Sequence, residues 1–152
     1  MKVIKPLDWI PLGVKSVFLS GSIEMGMAED WQSSVERLLK DTDWIVFNPR
    51  RDDWDSSWEQ KITNTEFCNQ VIWELKALEA AEKIIVYFSP GTKSPITLLE
   101  FGLIVGKNSE KLIVVCPEGF WRKGNIDIVS DRYNIKQVAT LEEAVEILKR
   151  SL

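Results

Sequence analysis

The sequence predicts an α/β domain in which a parallel sheet is covered by helices on both faces. Short apolar runs of strand length alternate with stretches of helical periodicity from one end of the chain to the other. The runs are apolar at nearly every position, as in strands buried on both faces, and not alternately polar as in a half-exposed sheet. No repeat, low-complexity stretch or linker interrupts the pattern over 152 residues, a length that suits one core. The expectation is therefore a single domain over 1–152.

Residues 1–14 carry two prolines and a Trp and read as an irregular lead-in. Ser16-Val17-Phe18-Leu19-Ser20 is the first expected strand, ending at the turn Gly21-Ser22-Ile23-Glu24-Met25-Gly26. A helix follows from about Ala28 to Lys40, with Trp31, Val35, Leu38 and Leu39 on its inner face. Trp44-Ile45-Val46-Phe47 is the second strand, closed by Asn48-Pro49. Residues 50–62 form a loop rich in Asp and Trp, too long for a simple connector. Helical periodicity returns from about Thr65 to Ala81 through Cys68, Val71, Ile72, Leu75 and Leu78. Lys83–Phe88 is the third strand, 95–106 the third helix and Leu112–Cys116 the fourth strand. Residues 117–131 read as a Gly-containing loop, Val138-Ala139 as a fifth strand, and 141–152 as a closing helix capped by Thr140.

Five such strands favour a flavodoxin-like, doubly wound sheet in a three-layer α/β/α sandwich. Ligands of such sheets sit beyond the carboxyl ends of the strands, at the point where strand order reverses. That rule gathers residues 21–26, 48–62, 89–95 and 117–125 at one mouth.

Composition narrows the chemistry. Net charge is −4 and the pI near 5.0, so the chain has no basic footprint for DNA or RNA. A single phosphate can still be held by backbone N–H groups and hydroxyls. Cys68 and Cys116 share no metal-type spacing and read as buried thiols of a reducing compartment. Lys2 and Lys5 are followed by no signal-type apolar region, and no run approaches a membrane span, so a cytoplasmic location without a membrane partner is expected. Histidine is absent, which removes Ser-His-Asp and Cys-His catalysis and the usual zinc sites. Acid–base or covalent work falls to carboxylates, hydroxyls, Lys or thiols.

Among the carboxylates Glu100 stands out, set in Leu98-Leu99-Glu100-Phe101-Gly102 on the third helix. It is either an exposed residue of an amphipathic helix or a desolvated carboxylate with nucleophilic or general-base work to do. Glu74, beside Trp73 on the preceding helix, is either solvated or a second carboxylate near Glu100. Gly21 and Ser22 form an ordinary tight turn, or allow close backbone approach and offer a hydroxyl to a sugar or phosphate. Asp52, Asp53, Trp54, Asp55 and Trp58 either anchor their loop or suit a planar ligand, with indoles stacking and carboxylates accepting. Ser94 before Pro95 is a plain N-cap, or one of the groups holding an anion at the helix N-terminus. Phe120 and Trp121 suit the core or a subunit contact, and Asn125 could reach a ligand.

Together these segments resemble the nucleoside 2-deoxyribosyltransferase-like superfamily over roughly residues 15–125. The run from Glu74 through Pro90-Gly91-Thr92 to Leu99-Glu100-Phe101-Gly102 carries the resemblance most strongly. It implies that Glu100 is the nucleophile and that Glu74, 26 positions earlier, is the acidic residue that binds the sugar, where Asp is usual. An Asp often found six residues before the nucleophile is Ser94 here. Serines at that position and after the first strand are what related deoxynucleoside 5′-monophosphate N-glycosidases use to hold a phosphate, so Ser22 and Ser94 keep that hydrolase in view.

The resemblance implies cleavage of an N-glycosidic bond through a glycosyl-Glu100 ester, with net retention and with a second base or water as acceptor. Without His, protonation of the leaving base falls to Asp53 or Asp55. Neither metal nor organic cofactor is implied. A nucleoside or nucleotide is the expected partner, with a homo-oligomer sharing active sites through Asn125 and Trp121. The alternatives are a nucleoside 5′-monophosphate glycosidase and a nucleotide-binding module without turnover.

Overall fold

The computed structural model describes residues 1–23, 29–53 and 55–151. Its strands are β1 (Lys2–Ile4), β2 (Ser16–Gly21), β3 (Ile45–Phe47), β4 (Lys83–Tyr87), β5 (Leu112–Val115) and β6 (Lys136–Val138). Its helices are α1 (Trp31–Leu39), α2 (Thr65–Ala80), α3 (Pro95–Asn108), α4 (Lys123–Arg132) and α5 (Leu141–Arg150). The strands form one all-parallel sheet in the order β1-β3-β2-β4-β5-β6. Leaving out β1, this is the expected flavodoxin-like order.

β1 is the first departure. The lead-in read as irregular supplies an edge strand, Val3 beside Val46 and Ile4 beside Phe47. Ile4 enters the core, which rewards pairing even for three residues. The rest of the lead-in lies against α2, where the Trp73 indole N–H donates to the Asp8 carbonyl at 3.0 Å.

Strand alternation divides the core in two. Phe18, Ile84, Val86, Leu112 and Val114 face α2, α3 and α4 and pack on Trp73, Ala77, Phe101, Ile104 and Ile126. Val17, Leu19, Ile85, Ile113 and Val115 face α1 and α5 and pack on Trp31, Val35, Ala144 and Leu148. Asp30 caps α1 through the Ser33 N–H, and Thr140 caps α5 through the Glu143 N–H, as expected for that threonine.

Three further expectations are corrected. The stretch 117–131 is not all loop: α4 occupies its second half, because Ile126 and Ser130 recur at i and i+4 and turn inward. The buried face of α2 is Gln70, Trp73, Ala77 and Leu78, whereas Ile72 and Leu75 are exposed. The bulky indole of Trp73 takes the inner position, and the helix is rotated accordingly. Cys116 is buried as expected, but Cys68 is only half-buried, and both are free thiols. Among the described residues no helix is long and apolar enough to cross a membrane.

Candidate active site

Parallel strands bring their carboxyl ends to one edge, and three tethers hold the loops there. Arg50 donates to the Glu29 carbonyl at 3.1 Å and to Gln32 Oε1 at 3.4 Å, joining the exit of β3 to the start of α1. Asn48, buried, donates to Glu36 Oε1 at 2.6 Å and accepts from the Arg50 N–H at 2.9 Å. Trp121 donates its indole N–H to the Lys93 carbonyl at 3.0 Å, with the Lys93 ammonium 4.2 Å from its ring centroid. The loops after β4 and β5 are thereby clamped together.

Glu100 lies on α3 three residues after buried Thr97 and four before buried Ile104, so its side chain shares their inward face toward β2. There the Ser20 hydroxyl donates to Glu100 Oε1 at 2.9 Å. Burial first, and the neighbouring Glu74 second, push the Glu100 carboxyl up to about 8, with the Ser20 bond opposing. Glu74 comes from α2, and burial raises its carboxyl to about 7. The opposing bond is a 2.9 Å donation from Gln70 Nε2 to Glu74 Oε1. Two carboxyls from different helices thus lie near enough for the charge of Glu74 to oppose ionisation of Glu100, and both favour holding protons near neutrality. A pair whose ionisations oppose each other suits covalent and acid–base chemistry at one centre.

Gly21 is required for close approach, but the approaching group is protein. A Cβ there would stand 2.3 Å from the Trp31 indole. Ser22 is buried at the end of β2. Ser94 precedes α3 in the left-handed region, φ 48°, and its hydroxyl makes no capping bond. It lies instead 2.7 Å from the Thr92 hydroxyl, and Ser94 itself is buried. Of the two readings of Ser94, capping is the one the geometry removes. A non-glycine residue at this φ is uncommon and costs on the order of 1–3 kcal/mol.

The Asp/Trp loop differs from expectation. Asp53 forms a bidentate pair with Arg51, both contacts at 3.0 Å, which holds its carboxyl below the usual range. Asp55 accepts from the Ser57 hydroxyl at 2.6 Å and the Ser57 N–H at 2.9 Å and is lowered likewise. Both therefore favour the ionised form, whereas Glu74 and Glu100 favour the protonated one. The Arg51 guanidinium lies 5.2 Å from the ring centroid of Trp58. The expectation for Trp54 lies outside the described residues, as do residues 24–28 of the turn and helix start.

Asn125 is exposed in the first turn of α4 and Trp121 is half-exposed, while Phe120 belongs to the core against Phe88 at 4.8 Å. A groove of about 930 Å³ between α4, β6 and the start of α5 contains none of the candidate residues. Among the described residues no group of three or more His, Cys, Asp or Glu could hold a metal ion.

Three residues of the site were not foreseen. Ser20 could have been found by alternation, since it shares the α3-facing side of β2 with Phe18. Gln70 could have been found four residues before Glu74 on the same helix. Arg51 carries no comparable signal, because its placement depends on the path of an irregular loop.

Comparison with individual curated proteins finds no match. The family profile described as nucleoside 2-deoxyribosyltransferase like matches residues 14–120, a span that holds β2 to the loop after β5 and both raised carboxyls. With most of its length in that match, the chain belongs to the nucleoside 2-deoxyribosyltransferase-like family.

Proposed function

We propose that this protein cleaves the N-glycosidic bond of (deoxy)ribonucleosides and transfers the sugar to another base or to water. The observation that carries the reading is the Glu74–Glu100 pair at the carboxyl edge of the sheet, with Ser20 holding one Glu100 oxygen. Ionised Glu100 attacks C1′; the C1′–O bond forms as the C1′–N bond breaks, and the bonding electrons leave with the base. The proton that the base nitrogen takes up is held by the carboxyl pair and given from Glu74. In the second step the acceptor's nitrogen or a water oxygen attacks C1′, Glu100 departs as a carboxylate, and the acceptor's proton returns to Glu74. Two inversions give net retention. Desolvation around the pair strengthens its attraction for the developing oxocarbenium charge.

One observation favours a second reading, hydrolysis of nucleoside 5′-monophosphates. The Ser94 hydroxyl is not spent on capping and lies with Thr92 at the N-terminus of α3, a 14-residue helix, where backbone N–H groups suit an anion. Incubation with deoxynucleosides or their monophosphates, with and without a free acceptor base, separates the readings. Base exchange supports transfer, and base release from phosphates alone supports the hydrolase. Absence of turnover with every substrate, alongside nucleoside binding, would leave a binding module. The same proposal includes self-association, supported by the exposed apolar side chains Ile96, Leu99 and Leu103 on α3.

A further inference from the structure

We infer that Gln70 is a positioning residue, which fixes the Glu74 carboxyl and ties it through Arg51 to the loop that follows β3. The inference rests on the glycosidic reading of the Glu74–Glu100 pair and adds what orients its sugar-facing member.

Gln70 is 1% exposed, so its amide must find partners within the protein. Its Nε2 donates to Glu74 Oε1 at 2.9 Å and to the Pro49 carbonyl at 3.4 Å. Its Oε1 accepts from Arg51 Nη1 at 3.4 Å. These partners assign the amide orientation. Turned over, it would set its oxygen against a carboxyl and its NH₂ against a guanidinium, unfavourable at both ends. Arg51 is itself immobilised, paired through two contacts with Asp53 and placed over Trp58. The chain Asp53–Arg51–Gln70–Glu74 therefore spans from the rim of the mouth to the carboxyl pair.

Each link orients the next. The guanidinium fixes the amide, and the amide fixes one oxygen of Glu74, leaving the other for a sugar hydroxyl or a proton. Glu100 on α3 has its own ionisation opposed by the Glu74 charge; Arg51 and Asp53 stand behind Gln70, and Ser20 on β2 engages Glu100. The Gln70 bond is the contact that favours ionised Glu74. Were Gln70 only a filler joining α2 to Pro49, its loss would lower stability and leave the titration of the pair where it was.

The test uses Gln70→Met, which keeps size and removes both amide functions, with Arg51→Met as the variant that leaves the buried amide in place. For base release, Gln70→Met is expected to lower kcat/KM at pH 7 by on the order of tenfold. It is also expected to move the alkaline limb of the pH profile, where the donor Glu74 loses its proton, to higher pH. Arg51→Met should move that limb the same way by less, and the double variant no further than Gln70→Met alone. A folded Gln70→Met with an unmoved profile overturns the inference. If Gln70→Met does not fold, an unmoved profile in Arg51→Met overturns it. If wild type turns over none of the substrates, the glycosidic reading fails on its own. Titration of the ¹³C-labelled glutamate carboxyls by NMR then decides Gln70: an upward shift for Glu74 in Gln70→Met sustains the role, and an unchanged one overturns it.

Discussion

At the scale of single residues the proposed chemistry turns on two carboxyls that hold protons unusually well. Glu100→Gln keeps shape and removes the proposed nucleophile, and should cost at least about three orders of magnitude in kcat, measured by base release at saturating substrate. With one proton shared by the pair in the working form, kcat/KM should follow a bell whose limbs lie near the raised values, about 7 and about 8. A profile that rises to a plateau would place the proton donor elsewhere. Stability carries the opposite sign from the usual carboxylate case. Both folded values exceed the ordinary 4.5, so between that pH and 7–8 the folded state binds more protons than the unfolded. Stability is fully present below the unfolded value and falls as pH rises through this window. Glu74→Gln should therefore stabilise the protein at pH 8, by on the order of 1–2 kcal/mol, with little effect at pH 4, as read by urea unfolding at both values. The burial of Glu100 was legible in the sequence because a carboxylate inside an apolar helical run is conspicuous. The ionised state of Asp53 and Asp55 was not, since the partners that favour it, Arg51 and Ser57, are set by loop conformation.

At the scale of elements, the turn after β2 and the start of α3 are where backbone geometry serves the site. Gly21→Ala drives a methyl into the Trp31 indole and should destabilise by about 1–3 kcal/mol, seen as a lower urea midpoint with unchanged slope. Ser94→Gly removes the cost of a positive φ and should raise stability by roughly 1 kcal/mol while weakening any phosphate-bearing substrate. Ser94→Ala should weaken such substrates without the stability gain. Strands β2 to β5 and helices α1, α2, α3 and α5 were readable because their periodicity is strong. β1 and α4 were not: three residues at a sheet edge show no period, and α4 offers few apolar positions in a polar stretch. The face of α2 was misjudged because one large indole outweighed two smaller apolar side chains in choosing what to bury.

At the scale of the whole molecule, the order of the sheet sets Glu74 and Glu100 on one side of it, with α2 and α3. That side also carries the outward apolar residues of α3. Leu99, 67% exposed, is the most open of them, and Leu99→Asp is expected to turn an oligomer into monomers in sedimentation equilibrium. A wild-type chain that is monomeric at all concentrations would sink the self-association proposal. The sheet order was legible in the count of strands and their alternation with helices, whereas assembly leaves no comparable trace in a single sequence. The two-sided core has one more consequence. The layer of α1 and α5 contributes neither of the raised carboxyls, so away from Trp31 and the Gln32 and Glu36 tethers it is the place where sequence can drift at least chemical penalty. Random variants selected for turnover after heat challenge should accumulate replacements at positions such as Leu38 and Ile147, leaving the opposite layer nearly untouched.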